Sequence, residues 1–161
     1  MRFFFVIVVF VTIALIQVSI VPWISPAYIK PNLLLMAVVC WGTMRGVRQA
    51  VAWGAFGGIL LDIMSSVPFG INLIALLPVS LCTGMNETKM LENTLLLSLA
   101  IVFVGTFIYG VCFLLIVQAT GSHVYWVEDM MRNLIPSALV NTLLTPLMYW
   151  FLLPLSRWAK I

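Results

Sequence analysis

FFFVIVVFVTIALIQVSIV, residues 3 to 21, runs without a single charge, and this stretch decides the fold. About 20 residues rising 1.5 Å each carry an α-helix across a hydrocarbon core ~30 Å thick. A membrane β-barrel would need short segments of alternating polarity, whereas the apolar residues here are continuous. The run follows Arg2 and ends near Ser25, Pro26 and Ala27, a faint echo of a signal-peptide cleavage site. It already exceeds the about 7 to 15 apolar residues of a signal h-region, so the reading is a retained first span.

The rest of the chain has the same character. Of 161 residues, 63% are apolar and 8% charged, with a mean hydropathy of +1.16, against roughly 45 to 50% and 25% in soluble domains. Eight Lys and Arg with five Asp and Glu could not cover an apolar globule of this size. The economical reading is one transmembrane helical domain over residues 1–161. The slight excess of basic residues does not mark a nucleic-acid binder, because they sit singly between apolar runs and form no stripe. Cys40, Cys82 and Cys112 each lie inside an apolar run, where cysteine behaves as a small hydrophobe, and are given no disulfide, redox or metal role.

Charge-free windows span Phe3 to Ile29, Pro31 to Met44, Gln49 to Leu61, Ile63 to Asn86, Asn93 to Val127 and Asn133 to Ser156, which predicts six spans. The first, fourth, fifth and sixth are long enough alone. The second and third are short and separated only by Arg45 to Arg48, so they read as a tight hairpin whose arginines snorkel to the headgroups, or as a re-entrant pair. With six spans and the N-terminus inside, the inner side holds Arg2, Arg45, Arg48, Lys89, Arg157 and Lys160, and the outer side only Lys30 and Arg132. Cytoplasmic loops carry the Lys and Arg excess, so both termini are expected in the cytoplasm.

Small residues at Ala50, Gly54 and Gly58, with Gly57 beside them, form a ridge without side chains. In lipid such ridges drive close helix approach, here either within the chain's own bundle or against a partner helix. Asp62 is the one acid embedded between apolar runs, and a carboxylate at span depth costs roughly 2.5 to 3.5 kcal/mol unless compensated. Fourteen residues beyond Arg48 it has climbed about 21 Å, toward the outer face. Backbone N–H groups near Gly70 to Asn72, at the next helix start, or Lys30, are its expected partners. Gln17, Asn72, Gln118, Asn141 and Thr142 are further polar residues within spans, with Asn141 one turn from Ser137 and Thr145 and suited to bonding across helices. Pro78, Pro136 and Pro146 are expected kink points. Externally, Tyr125, Trp126, Glu128 and Asp129 resemble an interfacial belt and are candidate contacts. The inner loop 86 to 93 offers Glu87, Lys89 and Glu92, read mainly as a solvated turn.

Enzymatic chemistry finds no footing. A single His123, no close pair of acids and no HExxH remove metal and acid–base constellations. No GxS motif offers an activated serine, and one acid at span depth cannot make an aspartyl pair. No catalytic residue, cofactor or metal is expected.

Taken in order, Lys30-Pro31-Asn32-Leu33-Leu34-Leu35, then Gly54 to Gly58 leading to Ile59-Leu60-Leu61-Asp62, then Pro68-Phe69-Gly70, and finally Asn141 to Pro146-Leu147 before a basic C-terminus, resemble the rod-shape-determining MreD family. The likeness covers nearly the whole chain. It departs at Asn32, where many members have Asp, and at Phe69, where Leu is commoner; any role for an acid at position 32 is lost. The resemblance implies a non-enzymatic inner-membrane component of the bacterial elongation machinery. It implies association with the scaffold MreC and, through it, with the RodA glycosyltransferase, a class B penicillin-binding transpeptidase and MreB filaments, in support of side-wall peptidoglycan synthesis and rod shape. It also implies a fold like the substrate-binding subunits of energy-coupling-factor transporters. A vitamin-type binding subunit is the rival reading. Those subunits carry an Ala-xxx-Ala docking motif on the first helix, absent between Phe3 and Ile24, and a pocket of converging polar groups, for which Asp62, Asn72 and His123 are sparse material.

Overall fold

Among the described residues, six helices of 12 residues or more follow from the apolar runs, three of them long. A computed structural model describes residues 2–24, 31–66, 68–83 and 94–158, and every regular element among them is helical. The elements are α1 (Arg2–Ser19), the single turn α2 (Val21–Ile24), α3 (Leu33–Arg45), α4 (Val47–Met64), α5 (Ile71–Cys82), α6 (Thr94–Ala119), the single turn α7 (Trp126–Asp129) and α8 (Ile135–Trp158). A π-helical turn, Met130–Leu134, joins α7 to α8. Residues 25–27, Lys30, the 86–93 loop and Lys160 lie outside the described residues.

Three stretches are long and apolar enough to cross a membrane: Phe4–Trp23, Leu95–Ala119 and Trp126–Trp158. The window from Ile63 to Asn86 does not form the full-length span expected of it. Helix α4 absorbs its first two residues, and α5 starts only at Ile71. Pro68 lacks an N–H, and Gly70 sits at φ 100°, a left-handed conformation that no continuing helix adopts. The helices α3 and α5, of 13 and 12 residues, reach only about 20 and 18 Å against a core of ~30 Å.

Helix α3 accounts for its own shortness. Its sequence is apolar all round, a pattern that suits either lipid or a protein interior, and here it meets the interior. Every residue from Leu34 to Thr43 is buried. It packs against α1, α4, α5, α6 and α8, so the short helix is the axis around which the others stand. It turns back into α4 through Gly46 alone, at φ 95° and ψ 164°. Phe10 stacks on Trp53 with ring centroids 4.7 Å apart and meets Trp41 edge-on at 6.0 Å, fixing α1 to the α3–α4 hairpin. The Trp41 indole donates to Gln49 Oε1 at 3.0 Å. Thr43 and Ser98 share a hydroxyl hydrogen bond of 2.7 Å between α3 and α6.

At one end of the bundle Phe5 meets Trp158 edge-on at 5.7 Å, so α1 begins where α8 ends. Toward the other end the π turn has a local cause. Pro136 carries no N–H for the Arg132 carbonyl, and the Ile135 N–H bonds instead to Met130 O, five residues back.

Candidate functional site

The glycine ridge is covered by the chain's own helices. A Cβ on Gly54 would fall on the Ser80 hydroxyl of α5, one on Gly58 would lie 2.6 Å from Leu73 Cα, and one on Gly57 would lie 2.7 Å from Leu34 Cδ2 of α3. Ala50 is fully buried, its Cβ facing Gly42. A partner helix has no access there. Small residues at Gly105 and Gly110, not singled out from the sequence, do the same for α6, receiving Val79 and Leu134.

Above the ridge, polar side chains carried by or capping α1, α3, α4, α5, α6 and α8 meet. Gly70, the N-cap of α5, has no side chain to cap with, so the N–H groups of the first turn need another acceptor. Asp62, reaching over from α4 and only 4% exposed, provides it. Its Oδ1 accepts from the Asn72 backbone N–H and from Asn72 Nδ2, both at 2.9 Å, and Oδ2 accepts from the Leu73 N–H at 3.2 Å. The carboxylate thus stands where the helix dipole is positive. Asn72 Oδ1 in turn accepts from the Tyr109 hydroxyl of α6 at 2.5 Å.

A second branch starts at the head of α3. Asn32 caps that helix, its Oδ1 accepting from the Leu35 N–H at 3.0 Å. The Asn32 N–H donates to Asn141 Oδ1 of α8 at 2.8 Å, and Asn141 Nδ2 donates to Thr106 Oγ1 of α6 at 3.1 Å. Gln17 of α1 forks onto the same backbone, accepting from the Leu33 N–H at 2.7 Å and donating to Pro31 O at 3.0 Å. The two branches end one turn apart on α6, at Thr106 and Tyr109. Tyr109 and Thr106 escaped the sequence reading because each resembles a chance polar residue in an apolar run. Their spacing of three, on one helix face, was the available signal. Of the trio around Asn141, Asn141 itself bonds across helices to Asn32 and Thr106, while Thr145 donates to Asn141 O within its own helix. Lys30, the other partner considered for Asp62, lies outside the described residues.

The external candidates form a separate patch. Tyr125 is 72% exposed, the Trp126 indole donates to Gln118 Oε1 at 3.0 Å, and Asn133 Nδ2 donates to Asp129 Oδ1 at 3.0 Å. Glu128 pairs with Arg132 at 2.8 Å, but both are exposed, so the pair adds little stability. These side chains line the rising end of the α7–α8 rod and do not join the buried network. The three cysteines are free.

Chemically, the buried network consists of donors converging on one carboxylate, Asp62, and four side-chain amides, those of Asn72, Asn32, Asn141 and Gln17. It does what caps do: it satisfies helix ends and fixes helix positions. The chain therefore belongs, by class, to the helical proteins with membrane-spanning segments, organised around a buried short helix and a polar cross-brace. More particularly, it is a member of the MreD family, rod shape-determining proteins, whose family model matches residues 1–154. No curated protein and no solved structure matches the chain.

Proposed function

We propose that this chain is a non-catalytic component of the bacterial elongation machinery in the inner membrane. In this reading it crosses six times with both termini in the cytoplasm and binds an MreC-like scaffold. Through that scaffold it joins the RodA glycosyltransferase, the class B penicillin-binding transpeptidase and MreB filaments in side-wall peptidoglycan synthesis. The observation that carries the reading is the family match over residues 1–154, nearly the full length. The geometry is in keeping with it. The polar groups buried in the membrane are engaged with one another, leaving apolar outward faces for helix and lipid contacts. Because the glycine ridge is filled by α3 and α5, the scaffold's span is assigned to outward faces such as the apolar furrow between α1 and α8, bordered by Val9, Ile16, Leu144 and Phe151.

Purification of the tagged chain in mild detergent, with mass spectrometry of what accompanies it, tests the proposal. A single-span, coiled-coil scaffold should copurify, and the chain should restore rod shape to cells depleted of their own family member. Recovery of a bound vitamin with ATPase subunits would defeat it in favour of transport.

A further inference from the structure

Two of the membrane-length stretches stand level at one end, where Phe5 meets Trp158, and differ in length. The stretch Phe4–Trp23 has 20 residues, whereas the rod formed by α7, the π turn and α8, Trp126–Trp158, has 33. At 1.5 Å per residue these are about 30 and 50 Å, so the first fits a ~30 Å hydrocarbon core and the second overshoots it. Tilt does not remove the excess: at ~40°, the upper end of observed tilts, the rod still spans about 38 Å. Its foot is fixed beside Phe5, three residues from Arg2, so the overshoot lies at the far end, around α7.

That far end is held upright. Gly110 of α6 receives Leu134, and eight residues further along each helix the Trp126 indole donates to Gln118 Oε1. The rod therefore stays alongside α6 as far as Trp126 and does not fold down onto the membrane surface.

Away from these contacts, one apolar side chain projects outward at every turn. Val127, Met131, Ile135, Leu139 and Leu143 are each 40% exposed or more. Residues four apart drift around an α-helix of 3.6 residues per turn. The π turn, whose Ile135 N–H bonds to Met130 O, holds more than four per turn and drifts the other way. It brings Val127 and Met131 back toward the line of the residues below them. Leu143 and Leu139 stand at membrane depth, where lipid suits them. Met131 and Val127, 27 and 31 residues above Trp158, stand about 40 and 46 Å above it and clear the hydrocarbon even at the largest tilt. With Tyr125 they form an exposed apolar patch outside the lipid, bordered by the Glu128–Arg132 pair. Such a patch, rich in Tyr and Met and rimmed by charge, is the composition of a protein interface.

The continuity of the strip selects its occupant. Lipid tails would meet only the lower part, and a soluble protein only the upper. A helix that leaves the membrane without a break meets both. We infer that the strip from Leu143 to Val127 docks a partner helix that crosses the membrane and continues past its outer surface, with Val127 and Met131 as the contacts outside the lipid. The inference rests on the scaffold reading and deepens it: among the outward faces open to the scaffold's span, this one carries the contact beyond the membrane.

Val127→Cys, Met131→Cys and Leu143→Cys are treated in spheroplasts with a membrane-impermeant maleimide, with and without coproduction of the MreC-like scaffold. The unsubstituted chain, whose Cys40, Cys82 and Cys112 lie within helices, gives the background. The two outer cysteines should label in the chain alone and about ten-fold more slowly beside the scaffold, a loss on the scale of an interface hot spot, while Leu143→Cys labels in neither case. Met131→Glu places its charge in water, so it should keep normal abundance and lower scaffold capture about ten-fold. Ser122→Glu, exposed at the same end but off the strip, should leave capture unchanged. No labelling of Val127→Cys would put the upper strip in lipid and overturn the inference. So would an equal loss of capture in Ser122→Glu, or a disulfide-linked homodimer through Val127→Cys, which would assign the strip to a second copy. Capture of the scaffold by the unsubstituted chain without protection of the outer cysteines overturns the docking alone. No capture at all overturns the scaffold reading and the docking with it.

Discussion

At the scale of single residues, Asp62 carries the sharpest chemistry. It stands in for the side chain that Gly70 cannot supply, so its value lies chiefly in the backbone N–H groups of Asn72 and Leu73, which would otherwise lose their acceptor, and in the Asn72 amide, which otherwise keeps only Ser65 Oγ at 3.4 Å. Asp62→Asn keeps an acceptor for Asn72 but turns an NH₂ toward the Leu73 N–H, two donors facing each other. Asp62→Leu satisfies none. The expected order of membrane abundance is wild type, then Asn, then Leu, each unsatisfied donor costing about 1 to 3 kcal/mol. Rescue of rod shape in a depletion strain, measured beside protein level, separates this from proton or cation chemistry. Normal abundance with lost rescue in Asp62→Asn would reject the capping role. On the ridge, Gly58→Leu places a branched side chain against the Leu73 backbone, which cannot swing aside as a side chain can. It should lower abundance far more than Leu60→Ile, a volume-conserving change at similar depth expected to cost under about 1.5 kcal/mol. Comparable levels of the two variants by quantitative blotting would remove the ridge from the packing argument.

At the scale of elements, the hairpin of α3 and α4 depends on Gly46. Its φ of 95° with ψ of 164° falls in a region open essentially to glycine alone. An added Cβ meets nothing within 4 Å, so Gly46→Ala isolates backbone strain from crowding. It should destabilise the bundle by about 1 to 3 kcal/mol, read as a lower Tm in detergent, while Gly46→Asn should cost no more than Ala if local backbone bonding by its side chain offsets part of the strain. An unchanged Tm for Gly46→Ala would show that the turn relaxes freely. This level also shows what sequence reading reaches. Helix positions are legible because an apolar run bounded by charges has one solution in lipid. The late start of α5 is not, since the hydropathy of Ile63 to Asn86 is high throughout and only Pro68 and Gly70 betray the break. Enclosure of α3 is half legible: its all-round apolarity signals burial, yet the same pattern fits a lipid-facing span. The cross-brace is least so, because Asn32 and Asn141 lie 109 positions apart. No local pattern pairs residues so distant, whereas Asp62 precedes the turn at Pro68–Gly70 closely enough for the acid and the helix start to be seen together.

At the scale of the whole molecule, the contact of Phe5 with Trp158 bears on how often the chain crosses the membrane. The start of α1 and the end of α8 lie at one end of the bundle, and a chain that leaves and returns to the same side crosses an even number of times. Three long apolar stretches make an odd number, so the proposed six crossings require the shorter helices α3, α4 and α5 to supply the return passages. The charges then choose the side. Arg45 and Arg157 share a pocket at the end where α1 begins, whereas Asp62, Glu128 and Asp129 stand toward the other end, where Arg132 is paired with Glu128. Since basic residues are retained in the cytoplasm, reporters fused after Lys160 or inserted in the 86 to 93 loop should read cytoplasmic. One placed near Ser122 should read external. A periplasmic signal from the C-terminal fusion, with the N-terminal reporter still inside, would mean an odd number of crossings. It would overturn both the topology and the pairing of Phe5 with Trp158 on which it rests.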